Sequence, residues 1–286
     1  MKFHNPLAEV HVPDGQPAGE AWKRVTHLGI GAHHDDLEFM AFHGIVSCFH
    51  HEEKTWFGGV TCTDGAGSSR SGRYEACSDD EMRAIRTGEQ RAAALVGRYA
   101  AIAQLAYPSR ELLAQREVLA DDLEAILRAS RPHVVYTHNL ADKHDSHIGV
   151  AAAVLKAIRR LDPADRPGQL LGCEGWRDLD WVCDGEKVAL DVSGHDHLAA
   201  ALNGIFDSQI AGGKRYDLAI AGRRAANATL LNSHATDAAT QVSLAMDLTP
   251  LVLDDSLDPA AFTLAAVDRF REDVSARLQK FLVREV

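Results

Sequence analysis

The chain has 286 residues, 46% hydrophobic and 25% charged, ordinary values for a globular protein with a sizeable core. No segment approaches the roughly 18 unbroken apolar residues of a membrane span, and a formal net charge of −11 argues against electrostatic capture of nucleic acid. Five cysteines, Cys48, Cys62, Cys77, Cys173 and Cys183, form no CxxC pair, and the opening MKFHNPLAEVHVPDGQPAGEAW lacks a secretory apolar run; neither a disulfide framework nor a thiolate zinc cage is expected, and the expected compartment is the cytoplasm.

Residues 1–23 read as an irregular lead-in. RVTHLGIGA (24–32) has the content of a buried strand, and DLEFMAFHGIVSCF behind it places Leu37, Met40, Ala41, Gly44, Ile45 and Cys48 on one helical stripe. WFGGVTCTD (56–64) reads as a second strand, followed by a helix with the capping box Ser78-x-x-Glu81 and the stripe Met82, Ile85, Ala92, Leu95. AIAQLAY (101–107) is a third strand, and REVLADDLEAILRASRP an amphipathic helix stopped by Pro132. HVVYTHN (133–139) is a fourth, and the helix after it turns Ile148, Ala151, Val154, Leu155 and Ile158 inward.

This alternation predicts an α/β fold, a Rossmann-like three-layer sandwich with a mostly parallel sheet in the order 3-2-1-4. A smaller C-terminal extension holds a strand KVALDVS, a helix from about 195 to 211, a helical stretch near 216 to 231, a strand within TQVSLAMDLTP and a long last helix. The whole reads as one domain, 1–286, with its core in about 24–165 and further elements in about 166–286 that complete a cleft.

The unusual count is 15 histidines, the side chain most often used on metals and in proton transfer near neutral pH. In an open parallel sheet the ligand site lies past the carboxyl ends of the strands, where strand order reverses. His33, Asp35 and Asp36 follow strand one, and His144 and His147 follow strand four, so the topology brings both groups to one crevice. His33 with Asp36, and His144 with His147, are three residues apart and can face one way from a helical turn. Two histidines and a carboxylate suit a catalytic zinc, which takes three protein ligands and keeps a position for water; Fe²⁺ or Co²⁺ accept the same donors. A spare carboxylate, Asp35, can then act as general base, and a spare histidine, His144, can stabilise an oxyanion or protonate a leaving amine. A helix cap accounts for one aspartate, not for two beside a mirrored histidine pair.

AHHDDLE (32–38) resembles the AHPDDxE motif of the LmbE-like, or PIG-L-type, zinc-dependent de-N-acetylases, and HNLADKHDSHIGVA (138–151) resembles their second motif, HPDH. The resemblance implies metal ligation by His33, Asp36 and His147, Asp35 as general base, and His144 on the tetrahedral intermediate. It also implies removal of an acetyl group from an N-acetylglucosamine-type sugar or glycoconjugate, a small-molecule substrate. The glycine- and serine-rich loop TDGAGSSRSGRYEAC (63–77) is a candidate substrate loop, where the resemblance places a substrate-contacting arginine, Arg70 or Arg73. Two departures stand out: His34 replaces the motif's proline, and Ser146 replaces an aspartate, leaving Asp145 or Asp142 to orient His144.

Two rival readings are a hydrolase of another amide or ester on the same cleft and a non-catalytic sugar- or nucleotide-binding module. Asp35 argues against the module, because binding alone needs no spare carboxylate beside the water. Glu38 suits either the site or a solvated face. Trp176 and Trp181 suit a sugar platform or core packing, and His195 and His197 read as surface or capping residues. The stripe Phe262, Ala265, Val267, Phe270 on the last helix fits packing or a homo-oligomer contact rather than membrane insertion, since its other face carries both signs of charge.

Overall fold

Eight strands, β1 (Glu9–His11), β2 (His27–Gly31), β3 (Phe57–Thr63), β4 (Ala101–Tyr107), β5 (Val134–His138), β6 (Gln169–Cys173), β7 (Lys187–Asp191) and β8 (Val242–Asp247), form one sheet in the order β1-β4-β3-β2-β5-β6-β8-β7. The computed structural model describes residues 1–282 except positions 52 and 233. β2 to β6 pair in parallel, and β1, β8 and β7 are added through antiparallel pairings. The predicted 3-2-1-4 order is the central run β4-β3-β2-β5, with the reversal between β2 and β5.

Both faces of the sheet are covered, as parallel strands with alternating buried side chains require. Leu28, Val60 and Val135 pack on one side with the helices Ala18–Lys23, Arg116–Ser130 and Asp145–Arg159. Phe57, Ile102 and Tyr136 pack on the other with the helices Asp36–Met40, Phe42–Cys48, Asp79–Val96 and Asp196–Ile205. Among the described residues no helix is long and apolar enough to cross a membrane.

The structure departs from expectation in six places. The lead-in is not irregular: β1 pairs with β4, and Ala18–Lys23 buries Ala21 and Trp22. The helix after β2 is split at Ala41, where Arg224 Nη2 donates to the carbonyls of Glu38 and Phe39. Asp79–Val96 has the expected capping box but buries Met82, Arg86, Gln90 and Ala93, while Leu95 is exposed. The helix expected over 195–211 breaks at Phe206 into Asp196–Ile205 and Asp207–Ile210. β6, not foreseen as a strand, lies against β5. On the last helix, Pro259–Leu282, only Thr263 and Ala266 are buried; of its apolar stripe Phe262 packs against the core, while Ala265, Val267 and Phe270 are exposed.

Candidate metal centre and its cleft

β2 stops at Gly31, where a Cβ would meet Asp36 Cβ at 2.8 Å; glycine lets the chain fold straight back on the strand end. Asp35 takes a left-handed backbone, φ 91°, a conformation that short polar side chains tolerate and that recurs at functional sites. The Asp36 carboxylate accepts the His33 amide hydrogen at 2.6 Å, which locks the turn. β5 ends beside it, and the Ala32 amide donates to His138 Nε2 at 2.9 Å. The first turn of Asp145–Arg159 then carries His147 into the same crevice.

Three donor atoms converge there. His33 Nδ1 lies 3.1 Å from His147 Nε2 and 3.3 Å from Asp36 Oδ2, and His147 Nε2 lies 3.6 Å from Asp36 Oδ1. Ligands of a tetrahedral zinc at about 2.0–2.1 Å are separated by roughly 3.3 Å, so these edges match. Two imidazole nitrogens and a carboxylate so close in a buried crevice need a shared cation or proton to offset repulsion between lone pairs. His144 and His138 adjoin the same donors, giving the groups His33–His144–His147 and Asp36–His138–His147. His138 Nε2, however, already accepts the Ala32 amide, so His33, Asp36 and His147 are the set with lone pairs to spare.

The hydrogen-bond network accommodates the tautomers that leave those lone pairs. His147 Nδ1 donates to Asp142 Oδ2 at 3.1 Å, so Nε2 is the bare nitrogen. Ser146 Oγ lies 2.9 Å from His33 Nε2 and 2.8 Å from His144 Nδ1; in one of the two senses this pair of bonds can run, His33 Nε2 donates to the hydroxyl and the hydroxyl to His144 Nδ1. That sense bares His33 Nδ1 towards Asp36 and puts the hydrogen of His144 on Nε2. Asp142 also accepts the backbone amides of Lys143, His144, Trp176 and Arg177, tying β5, the loop after it and the segment after β6 to one carboxylate.

Burial alone would raise Asp36, but His147, His138 and His33 outweigh it and hold the carboxyl well below its ordinary value. Burial pushes Asp35 up to about 8, with Arg86 opposing and Asp36 and Glu38 adding. Arg86 Nη2 donates to Asp35 Oδ2 at 3.2 Å, and Gln90 Oε1 accepts the Asp35 amide at 3.2 Å. Gln90 in turn donates to Glu38 Oε1 at 2.8 Å, beside the Tyr99 hydroxyl at 2.6 Å. Glu38 is therefore fully buried beneath the site, not on a solvated face, and burial raises it to about 7. Burial also lowers His138 to about 4, with His147 adding to the effect.

Residues 28–158 match the family described as PIG-L: GlcNAc-PI de-N-acetylase, a span that contains both histidine clusters. The likeness to the PIG-L family thus covers residues 28–158, short of half of the chain. Among solved structures it is similar to N,N'-diacetylchitobiose deacetylase from Pyrococcus horikoshii, at 16% identity and TM-score 0.63 over 85% of this chain and 90% of that one. It is also similar to GalB, the 4-carboxy-2-hydroxymuconate hydratase of Pseudomonas putida, at 18% identity and TM-score 0.60 over 78% and 96%. A third is the A40926 pseudoaglycone deacetylase Dbv21, at 16% identity and TM-score 0.58 over 78% and 97%. At these identities the likeness establishes the fold. No curated protein matches the chain significantly.

Against that likeness, the site residues fall into two sets. His33, Asp35, Asp36 and His144 line one cleft of about 470 Å³, with Trp176, Tyr216 and Arg86. His147 sits just behind, its ring parallel to Trp176 at 6.3 Å between centroids. Asp142 reaches the ring of His147 rather than that of His144, whose ring partner is Ser146; Asp145 is exposed at the start of its helix. Neither Arg70 nor Arg73 lines the cleft: Arg70 pairs with Asp79 at 2.6 Å, and Arg73 with Asp207. The cleft's basic side chains are Arg86 and Lys214. Trp181 packs between the core clusters, and His195 and His197 lie at the start of Asp196–Ile205.

Sequence reasoning missed His138, Arg86, Gln90, Gln209, Lys214 and Tyr216. A usable signal existed for two of them. Met82, Arg86, Gln90 and Ala93 follow helical spacing if polar residues are admitted to the inner face.

Proposed function

We propose that this protein is a metal-dependent hydrolase that removes the acetyl group from an N-acetylglucosamine-type sugar or glycoconjugate. One arrangement carries the reading: in a chain whose residues 28–158 match the PIG-L family, the His33, Asp36 and His147 donors converge beside a cleft that also presents Asp35 and His144. His33, Asp36 and His147 would hold the ion, with zinc preferred for a set of two imidazoles and one carboxylate. Bound there, it would acidify water and polarise the amide carbonyl.

The chain's own residues do the rest. Asp35 takes a proton from the attacking water; Arg86 occupies its Oδ2 and Gln90 its amide, which fixes the carboxylate towards the cleft. His144, held by Ser146 in the tautomer with hydrogen on Nε2, donates to the carbonyl oxygen as negative charge develops. The carbon–nitrogen bond then breaks, the nitrogen takes the proton held at Asp35, and acetate and a free amine leave. Trp176 and Tyr216, 4.6 Å apart between ring centroids, offer an aromatic face for the sugar.

A neighbour of the same fold is named a hydratase, so the fold does not fix the reaction, and hydrolysis of another amide or an ester stands as a second reading. The test is acetate release from N-acetylglucosamine and its derivatives, with metal-loaded protein and Asp35→Asn side by side after metal analysis. Activity should fall by roughly 10²–10⁴-fold in the variant while the metal stays. If the metal-loaded parent releases no acetate, the deacetylase reading falls and the amide and ester panel replaces it.

A further inference from the structure

The cleft has a wall that the reaction above does not use. The short helix Asp207–Ile210 and the turn after it place Gln209 and Lys214 on the cleft, beside Ser68 and Ser69 of the 63–77 loop. Gln209 is only 6% exposed, yet among the described residues its Nε2 has no hydrogen-bond partner, a costly state for a buried donor that lines a cavity. Lys214 has no acidic partner among the described residues, although most of the charged side chains around the cleft are paired. The carboxylates lining the cleft, Asp35 and Asp36, both come from the turn after β2. The 65–69 and 207–214 segments contribute only neutral groups and one cation to the lining.

This wall is firmly built. Asp207 accepts from Arg73 and from the Tyr74 hydroxyl at 2.6 Å, and Glu89 accepts from the Ser208 amide at 2.7 Å and its hydroxyl at 2.6 Å. The Lys214 amide closes back on the Gln209 carbonyl at 2.8 Å. That closure depends on glycine: a Cβ on Gly212 would collide with the Ser208 carbonyl, and Gly213 has φ +102°. Arg73 thus supports the wall instead of touching the cleft.

We propose that Gln209 and Lys214 form an anion-recognition subsite, so that the preferred substrate of this cleft carries a carboxylate or phosphate on the molecule that bears the amide. A buried amide donor without a partner and an unpaired ammonium are the complement of such a group; a neutral sugar can offer the amide a hydroxyl but leaves the ammonium without a counter-charge. The inference rests on the cleft being the substrate site and names the class of substrate it selects.

Binding, not turnover, tests it. Isothermal titration in the metal-loaded Asp35→Asn background compares N-acetylglucosamine, N-acetylglucosamine 6-phosphate and N-acetylmuramic acid; the last two separate phosphate from carboxylate. At least one anion should bind roughly ten-fold or more tightly than the neutral sugar. Lys214→Ala should bring it to within about two-fold while leaving the neutral sugar unchanged, and Lys214→Arg should retain the preference. Gln209→Leu should weaken the anion more than the neutral probe. Equal affinity for all three, no binding of either anion, or a preference that survives Lys214→Ala overturns the subsite. Failure to release acetate with the preference intact would remove the deacetylase reading and leave the subsite standing.

Discussion

Two groups of histidines lie at opposite ends of β2 and β5, and only one is built for chemistry. At the carboxyl ends His33, His138, His144 and His147 surround Asp36, with Asp142 behind. At the amino ends His27 opens β2, His133 precedes β5, and His43 packs nearby against Tyr136, its Nδ1 2.9 Å from the phenol oxygen. His27 meets a hydroxyl, Thr26 Oγ1, at 3.0 Å and a thiol, Cys48 Sγ, at 3.4 Å. Burial lowers both His27 and His43; His43 and His133 depress His27 further, and Asp191 acts on His43 without outweighing burial. The number of imidazoles is similar at the two ends. What differs is a carboxylate within reach of several ring nitrogens, which makes a packed aromatic group one that could hold a metal ion.

The largest effect that can break this comparison is removal of that carboxylate. Asp36→Ala leaves His33 and His147 facing each other with no anion between them, and it also frees the His33 amide. Metal content should drop from about one ion per chain to near zero, and any hydrolytic activity should fall by at least roughly 10³-fold with it. Metal analysis after gel filtration reads the first, and acetate release the second. A variant that keeps its metal would move the centre to His33, His144 and His147.

Much of this contrast was legible from sequence, and the part that was not has a physical cause. The spacing of His33 with Asp36, and of His144 with His147, gives paired donors on turns after two strands, and the β–α alternation places those turns together. His138 has no partner at helical or strand spacing, so a lone ring at the end of β5 carries no local signal, although the β2–β5 pairing puts it on Asp36. Arg86 and Gln90 were hidden because an amphipathic pattern sends polar residues outward, whereas here they point inward to hold Asp35. Arg70 and Arg73 misled in the opposite sense. The resemblance places a substrate-contacting arginine in the 63–77 loop, whereas Asp79 pairs with Arg70 and Asp207, more than 130 residues further on, with Arg73.

Ser146 offers a sharper cut within the active end. It replaces the aspartate of the resembled motif and bridges His33 Nε2 and His144 Nδ1 through a single hydroxyl. Ser146→Ala removes the group that orders both rings, so activity should fall by roughly 10- to 100-fold. The metal should bind more weakly but still saturate at high concentration. Ser146→Asp should recover part of the loss, because a carboxylate can accept from both rings; the two variants compared at saturating metal decide it. Asp142→Asn is expected to be smaller in kcat but clear in metal affinity, again roughly 10- to 100-fold, since the amide can no longer serve as a charged acceptor for His147 Nδ1. A titration with a competing chelator measures it, and unchanged affinity would mean that His147 is oriented by packing against His138 alone.

The smallest effect belongs to the other end and shows what a histidine does there without a carboxylate. Burial, with His43 and His133, lowers His27 to about 4 from an ordinary value near 6.5. The unfolded chain therefore takes up the proton first, and stability falls as pH drops from about 6.5 towards about 4; above that window the ring is neutral in both states and costs nothing further. His27→Phe keeps an aromatic ring beside Tyr136 but removes this titration. Its denaturant midpoint should fall less steeply than that of the parent between pH 6.5 and 4, by an amount on the order of 2–3 kcal/mol across the window, while metal content and acetate release at neutral pH stay unchanged. Parallel pH profiles would show that the ring is charged, or solvated, in the folded protein. Lost metal in His27→Phe would instead couple the two ends through β2, and the separation between a packed group and a chemical one would no longer hold.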